Sequence, residues 1–164
     1  MMVSDVSATE PDWSREVPQW FWDPSRKLLR AIRCYQRAGN RASRFWWRQV
    51  HRFWSVVTQA DIPLECQIGG GLVLPHPNGI VIHPKAVIGP NCLIFQQVTI
   101  GMAADDGVPV IGGHVDIGAG ARILGPVRLG NDVVVGANAV VTRDIPAGHV
   151  ARGIPARAHP RAPA

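Results

Sequence analysis

Residues 111–141 read IGGHVDIGAGARILGPVRLGNDVVVGANAVV, and every sixth position is aliphatic: Ile111, Ile117, Ile123, Leu129, Val135 and Val141. Glycine follows four of them, at Gly112, Gly118, Gly130 and Gly136. A small or β-branched residue stands four places after the aliphatic one, at Val115, Ala121, Val127, Val133 and Ala139. An amphipathic helix repeats its apolar stripe about every 3.6 residues and a half-buried strand every second residue. A period of six fits neither. It fits a short strand followed by a corner, with glycine expected to supply the positive φ of the turn. Three such units close a triangular coil, and stacked coils bury one apolar column.

The phase extends back through Ile82, Ile88, Ile94 and Ile100, and earlier through Ile62, Ile68 and Leu74, thirteen aliphatics in all. Each contributes about 1.5–3 kcal/mol when fully buried, enough together to hold a stack. Composition changes where the repeat starts. All six Trp precede residue 61, Phe95 is the only aromatic after it, and sixteen of the 17 glycines follow it. Residues 1–60 hold ten Lys/Arg and five Asp/Glu, against seven of each in 61–164, so the net charge of +5 resides in the first part. We therefore expect a mainly β chain. Residues 1–60 form a helical, basic and Trp-rich region, 61–150 the solenoid, and 151–164 a C-terminal tail.

The phase breaks twice. Leu74 and Ile82 are eight apart, which inserts two residues around Pro75, His76, Pro77, Asn78 and Gly79. Ile100 and Ile111 are eleven apart, with a polar stretch at 102–109 between them. Insertions into repeats map to a working face, and loops on rigid scaffolds carry chemistry. His76 is the side chain suited to deprotonate an alcohol near neutral pH; on this fact alone a solvated loop histidine weighs as much. Asp61, at the entry to the solenoid, is either a turn residue or a carboxylate that fixes a histidine tautomer.

The motifs from Asp61 through Ile68–Leu72, His76 and Gly79–Val81, then Gln97–Gly101, Ile117–Gly125, Val135–Val141 and Gly153–Arg157, resemble the serine acetyltransferases and related exopolysaccharide sugar O-acetyltransferases. The resemblance implies a left-handed parallel β-helix, a coil sense that departs from the usual right-handed crossover. It also implies a homotrimer with clefts between subunits, acetyl-CoA as donor and no metal. By the same resemblance His76 is the catalytic histidine and Asp61 its partner. Gly101, Gly118, Ala119, Ala137 and Arg157 fall along the acetyl-CoA arm. Asn78 on the bulge and His83 at the following corner are the candidate acceptor contacts. Pro75 stands where the family has an aspartate, and Gly107 and Val108 stand where it has an Arg-His pair that grips serine. A charged grip on a small zwitterion is worth several kcal/mol. The expected acceptor is therefore a sugar or glycan hydroxyl, with L-serine the alternative. The first 60 residues are shorter than the family's helical domain, which argues against the hexamer formed through that domain.

Asp23 as N-cap and Pro24 at the first helical position predict a helix over 23–38, ending at Gly39. A second helix is predicted over 41–58, with Trp46, Val50, Phe53, Trp54 and Val57 on one face. From Arg26 to Arg52 there are nine Lys/Arg and no acid. The preferred reading packs these helices on the solenoid or a neighbouring subunit. The other lays residues 20–58 on an anionic membrane surface. No recognition motif accompanies the charge, so nucleic acid is not an expected partner. The N-terminus has neither the basic nor the apolar region of a secretory signal. Three scattered cysteines fit a reducing compartment, so the expected location is the cytoplasm, with membrane association where the helices touch lipid. Two other classes remain: a zinc hydratase using His83 and His114, disfavoured because Ala119 stands five residues after His114, and a solenoid scaffold without activity.

Overall fold

The computed structural model describes residues 6–103 and 107–161. A 3-10 turn at Trp13–Glu16 leads to two helices, α1 (Pro24–Arg37) and α2 (Arg41–Thr58), followed by a solenoid of short strands. The Asp23 side chain accepts the Arg26 N–H and caps α1, with Pro24 at the first position, where no N–H is required. Asn40 caps α2 through the Ser43 N–H.

The solenoid is a three-sided prism. Its first side stacks Asp61, Val81–Ile82, Thr99–Gly101, Arg122–Leu124 and Val140–Val141. The second stacks Gln67–Ile68, Val87–Ile88, Val110–Ile111 and Arg128–Leu129. The third stacks Val73, Leu93–Ile94, Asp116–Ile117, Val134–Val135 and His149–Gly153, all parallel. The partners Asp61, Val81, Thr99, Arg122 and Val140 separate successive coils by 20, 18, 23 and 18 residues. Three units of six make 18, so the extra two and five residues are the two interruptions. All thirteen aliphatics of the repeat point inward and are buried.

The glycines after those aliphatics do not take the positive φ expected of them. That conformation falls two residues later, in one corner column at Gln59, Gly79, Gln97, Gly120 and Asn138, and in another at Gly71, Asn91, His114, Asp132 and Gly148. Five of them, Gly69, Gly89, Gly112, Gly118 and Gly130, are required by the neighbouring coil instead, whereas Gly101 and Gly136 have room for a side chain. A Cβ on Gly69 would lie 2.5 Å from Pro90 N, one on Gly118 2.6 Å from Ala137 N, and one on Gly130 2.4 Å from Ala147 N. Backbone stacked this closely has no space for a side chain.

The helices close the open end of the prism. Leu28, Leu29 and Ile32 of α1 join the solenoid's core cluster. Ahead of them, the buried Asn91 amide donates to Ser7 O and Glu10 O, both at 2.7 Å, and accepts the Asp12 N–H at 2.8 Å. The stretch from Ser7 therefore lies on the solenoid. At the other end, the region read as a tail is largely a hairpin: Ala156–Pro160 pairs antiparallel with His149–Gly153, and Ala151 and Ala156 are buried. The apolar face predicted for α2 does not pack inward as a whole. Trp54 is partly buried against the core, while Trp46, Phe53 and Val57 face outward.

Candidate active site

Both interruptions border the first side of the prism, at its opposite edges. The 75–79 bulge turns the chain from the third side into the first, and the insertion after Gly101 turns it from the first into the second. The sequence-predicted residues divide in the same way. His76 and Asn78 lie on the bulge. Below them, coil by coil, Asn78 O accepts from Gln97 N at 3.0 Å, Gln96 O from Gly120 N at 2.9 Å, and Ala119 O from Asn138 N at 2.8 Å. His76, Asn78, Gly118, Ala119 and Ala137 thus share one corner column. His83 and Gly101 lie across the first side from it, where the His83 N–H bonds to Ile100 O at 2.8 Å. The His83 Nδ1 accepts the Lys85 N–H at 3.2 Å, which leaves Nε2 to carry the proton of a neutral ring.

Asp61 is held by its backbone. Its N–H bonds to Ile80 O at 2.8 Å and its C=O accepts from Ile82 N at 2.9 Å, so its side chain points out at the head of the first side. The bulge is anchored nearby, because Gly79 N bonds to Gln59 O at 2.8 Å, two residues before Asp61. Both side chains are exposed on the single chain, and among the described residues no hydrogen bond joins the Asp61 carboxylate to the His76 ring.

The backbone donors of the column are not equivalent. The Gly118 N–H is committed to Val135 O at 2.8 Å. The Ala119 and Ala137 N–H groups make no hydrogen bond among the described residues. Arg157 lies in the terminal hairpin opposite Arg152. Gly136 N bonds to Ala151 O at 2.8 Å, and a Cβ on Gly136 would lie 3.6 Å from the Arg152 Cβ. Both arginines therefore lie beside the far end of the same column. Arg152 was not singled out from sequence, because only the parallel pairing of Val134–Val135 with Val150–Ala151 brings it there.

A cavity of about 540 Å³ lies between the bulge and the helical region, lined by Arg15, Asp23, Arg26, Thr58 and Asn78 among others. Its walls carry both signs of charge. Burial works against the Asp23 carboxylate, but hydrogen bonds from the Gln19 N–H, the Arg26 guanidinium and the Arg26 N–H outweigh it and hold its pKa below the usual value. The His76 ring is not on this wall.

His114 and His83 occupy different corners, and the His114 Nδ1 instead meets Asp132 Oδ1 at 2.8 Å. Among the described residues of one chain they do not share a site.

Residues 109–143 match the family described as bacterial transferase hexapeptide (six repeats). The chain is 35% identical over 135 residues to serine acetyltransferase of Helicobacter pylori, covering 79% of each protein. The chain belongs to the serine acetyltransferase family. Serine acetyltransferase of Mycobacterium tuberculosis is 32% identical over 146 residues, covering 87% of this chain and 56% of the relative. The crystal structure of the Vibrio cholerae serine acetyltransferase superposes with a TM-score of 0.74 at 31% identity, over 86% of this chain and 56% of that one. Several curated relatives are about twice as long as the stretch that this chain matches. The fold is the left-handed parallel β-helix of this family, with a short helical N-terminal region.

Proposed function

We propose that the chain transfers the acetyl group of acetyl-CoA to the hydroxyl of L-serine, with His76 as general base. His76 takes the hydroxyl proton as the oxygen attacks the thioester carbonyl. The carbon–sulfur bond then breaks, and the imidazolium returns the proton to the departing thiolate. Asp61 would orient the ring and stabilise its charged form. The Ala119 and Ala137 N–H groups would receive carbonyl oxygens of the donor's arm, and Arg152 and Arg157 would meet its phosphates. The observation that carries this reading is the single column joining the His76 bulge to those free backbone donors. Exposure of His76 on one chain suits a site shared between subunits, so we propose the homotrimer as the working assembly.

The acceptor expected from sequence was a glycan, because Pro75, Gly107 and Val108 lack the charged grip. One finding favours serine: the relatives named above are serine acetyltransferases. The test is thiol release from acetyl-CoA with L-serine, hexoses and amino sugars offered separately. Turnover with serine that disappears in His76→Ala is the expected result. Turnover confined to a sugar would move the acceptor to glycans, and no release with any acceptor would end the acetyl-transfer reading.

A further inference from the structure

Helix α2 presents three faces. At about 100° per residue, Trp47, His51, Trp54 and Thr58 turn inward, and the His51 Nε2 meets Ile62 O at 2.9 Å. Arg41, Arg48 and Arg52 form a second strip. Phe45, Trp46, Phe53, Val56 and Val57 form a third, and all five are exposed, Val56 at 78%. Cations border this apolar strip on both sides. The arginine strip runs along one edge. Along the other, Lys27 and Arg30 of α1 line a shallow groove with Trp46, Val50 and Trp54. The Lys27 Nζ lies 5.1 Å from the Phe21 ring centroid and 5.5 Å from that of Trp54, which extends the patch to Phe21, 84% exposed.

A contiguous apolar surface of this kind marks an interaction site, and charge decides what fits it. Of the nine cations from Arg26 to Arg52, Arg26 pairs with Asp23 and Arg33 with Glu16. The other seven form no ion pair among the described residues, and no acid interrupts the stretch. A second copy docked by this face would oppose two sets of like charges. A nucleic acid would leave Val56 and Val57 against water. An anionic bilayer meets both requirements, taking the aromatic and valine side chains at the headgroup–acyl boundary and the flanking cations on lipid phosphates. Among the described residues no helix is long and apolar enough to cross a membrane, so the contact is peripheral. We propose that the outer face of α2, with Phe21, Lys27 and Arg30, docks this protein on an anionic lipid surface. This inference is independent of the acceptor.

All six tryptophans lie in residues 13–54, so their fluorescence reports the contact directly. The full chain is mixed with phosphatidylcholine vesicles carrying brominated acyl chains, with and without phosphatidylglycerol. Quenching and co-sedimentation are expected with phosphatidylglycerol and should weaken at high salt. Phe53→Asp/Val56→Asp and, separately, Arg48→Glu/Arg52→Glu should each weaken partitioning by about tenfold or more. All four sites are exposed, and circular dichroism melting checks that the variants fold. Equal partitioning of wild type and both variants, or none by wild type, overturns the proposal. So does light scattering that shows a lipid-free assembly dissociating in Phe53→Asp/Val56→Asp, because a second copy would then cover the face.

Discussion

Arg33 and Glu16 form a bidentate ion pair, Nη2 to Oε1 at 2.8 Å and Nε to Oε2 at 3.1 Å, with little of either side chain exposed. The same guanidinium donates to Ile68 O and Gly69 O, and the Glu16 Oε1 also accepts the Leu72 N–H at 3.2 Å. One pair thereby ties the N-terminal turn, α1 and the first coil together. Removing one partner strands a buried charge, at a cost of about 3–5 kcal/mol. Glu16→Ala and Arg33→Ala should each lower the denaturation midpoint accordingly. The double replacement Glu16→Leu/Arg33→Met should cost less than either single change, and urea titration compares the three.

His76 is exposed, so His76→Ala should leave stability within about 0.5 kcal/mol of wild type. In the thiol-release assay it should lower kcat/KM by about 10²–10⁴-fold. Asp61→Asn should lower kcat by a smaller factor with little change in KM for the acceptor, since Asp61 is assigned to act through the histidine ring. A large rise in KM alone would assign these residues to binding rather than proton transfer.

Gly118 and Gly136 occupy equivalent places in successive coils but differ in what a side chain would meet. A Cβ on Gly118 would lie 2.6 Å from Ala137 N and 2.8 Å from Val135 O, whereas one on Gly136 meets nothing closer than 3.5 Å. Backbone cannot step aside as a flexible side chain can. Gly118→Ala should therefore destabilise by about 1–3 kcal/mol, and Gly136→Ala should be nearly neutral. Thermal melting of the two variants decides it.

The three cysteines should react unequally. Burial first, then the charges of Glu65 and Asp61, pushes the Cys66 thiol up to about 12. Burial pushes Cys92 up to about 11. Neither forms appreciable thiolate at pH 8, and both are enclosed, whereas Cys34 is half-buried. A thiol reagent at pH 8 should label one cysteine per native chain and three in denaturant. Rapid native labelling of Cys66 or Cys92 would show that the prism opens.

The coil was legible because its signal is local. Ile111 through Val141 repeat in phase whatever lies beside them, and the two places where the phase fails are the places where the register lengthens. The α1 cap was readable in the same way, since Asp23 acts on the first turn of its own helix, whereas the Asn40 cap of α2 emerged only in the structure. The candidate site was legible only as separate stretches of sequence. That Asn78 stacks in line with Ala119 and Ala137 depends on hydrogen bonds between residues about one coil apart, and that Gly118 lacks a free N–H depends on Val135.

By itself the sequence determined the six-residue side and the position of the interruptions, because burial of every sixth side chain needs no information beyond its own period, and the pairing registers showed that three sides close a coil. Tertiary structure decided the rest through contacts between distant residues. It assigned most of the glycines that follow the repeat aliphatics to coil-to-coil clearance rather than to left-handed turns. It put Ser7 and Asp12 against Asn91, and it brought Arg152 to the end of the donor column. It also turned the Phe53 and Val56 face of α2 outward, since α1 already fills the open end of the core with Leu28, Leu29 and Ile32. An amphipathic pattern states that a face seeks an apolar partner, and only the packed fold shows which faces are left without one.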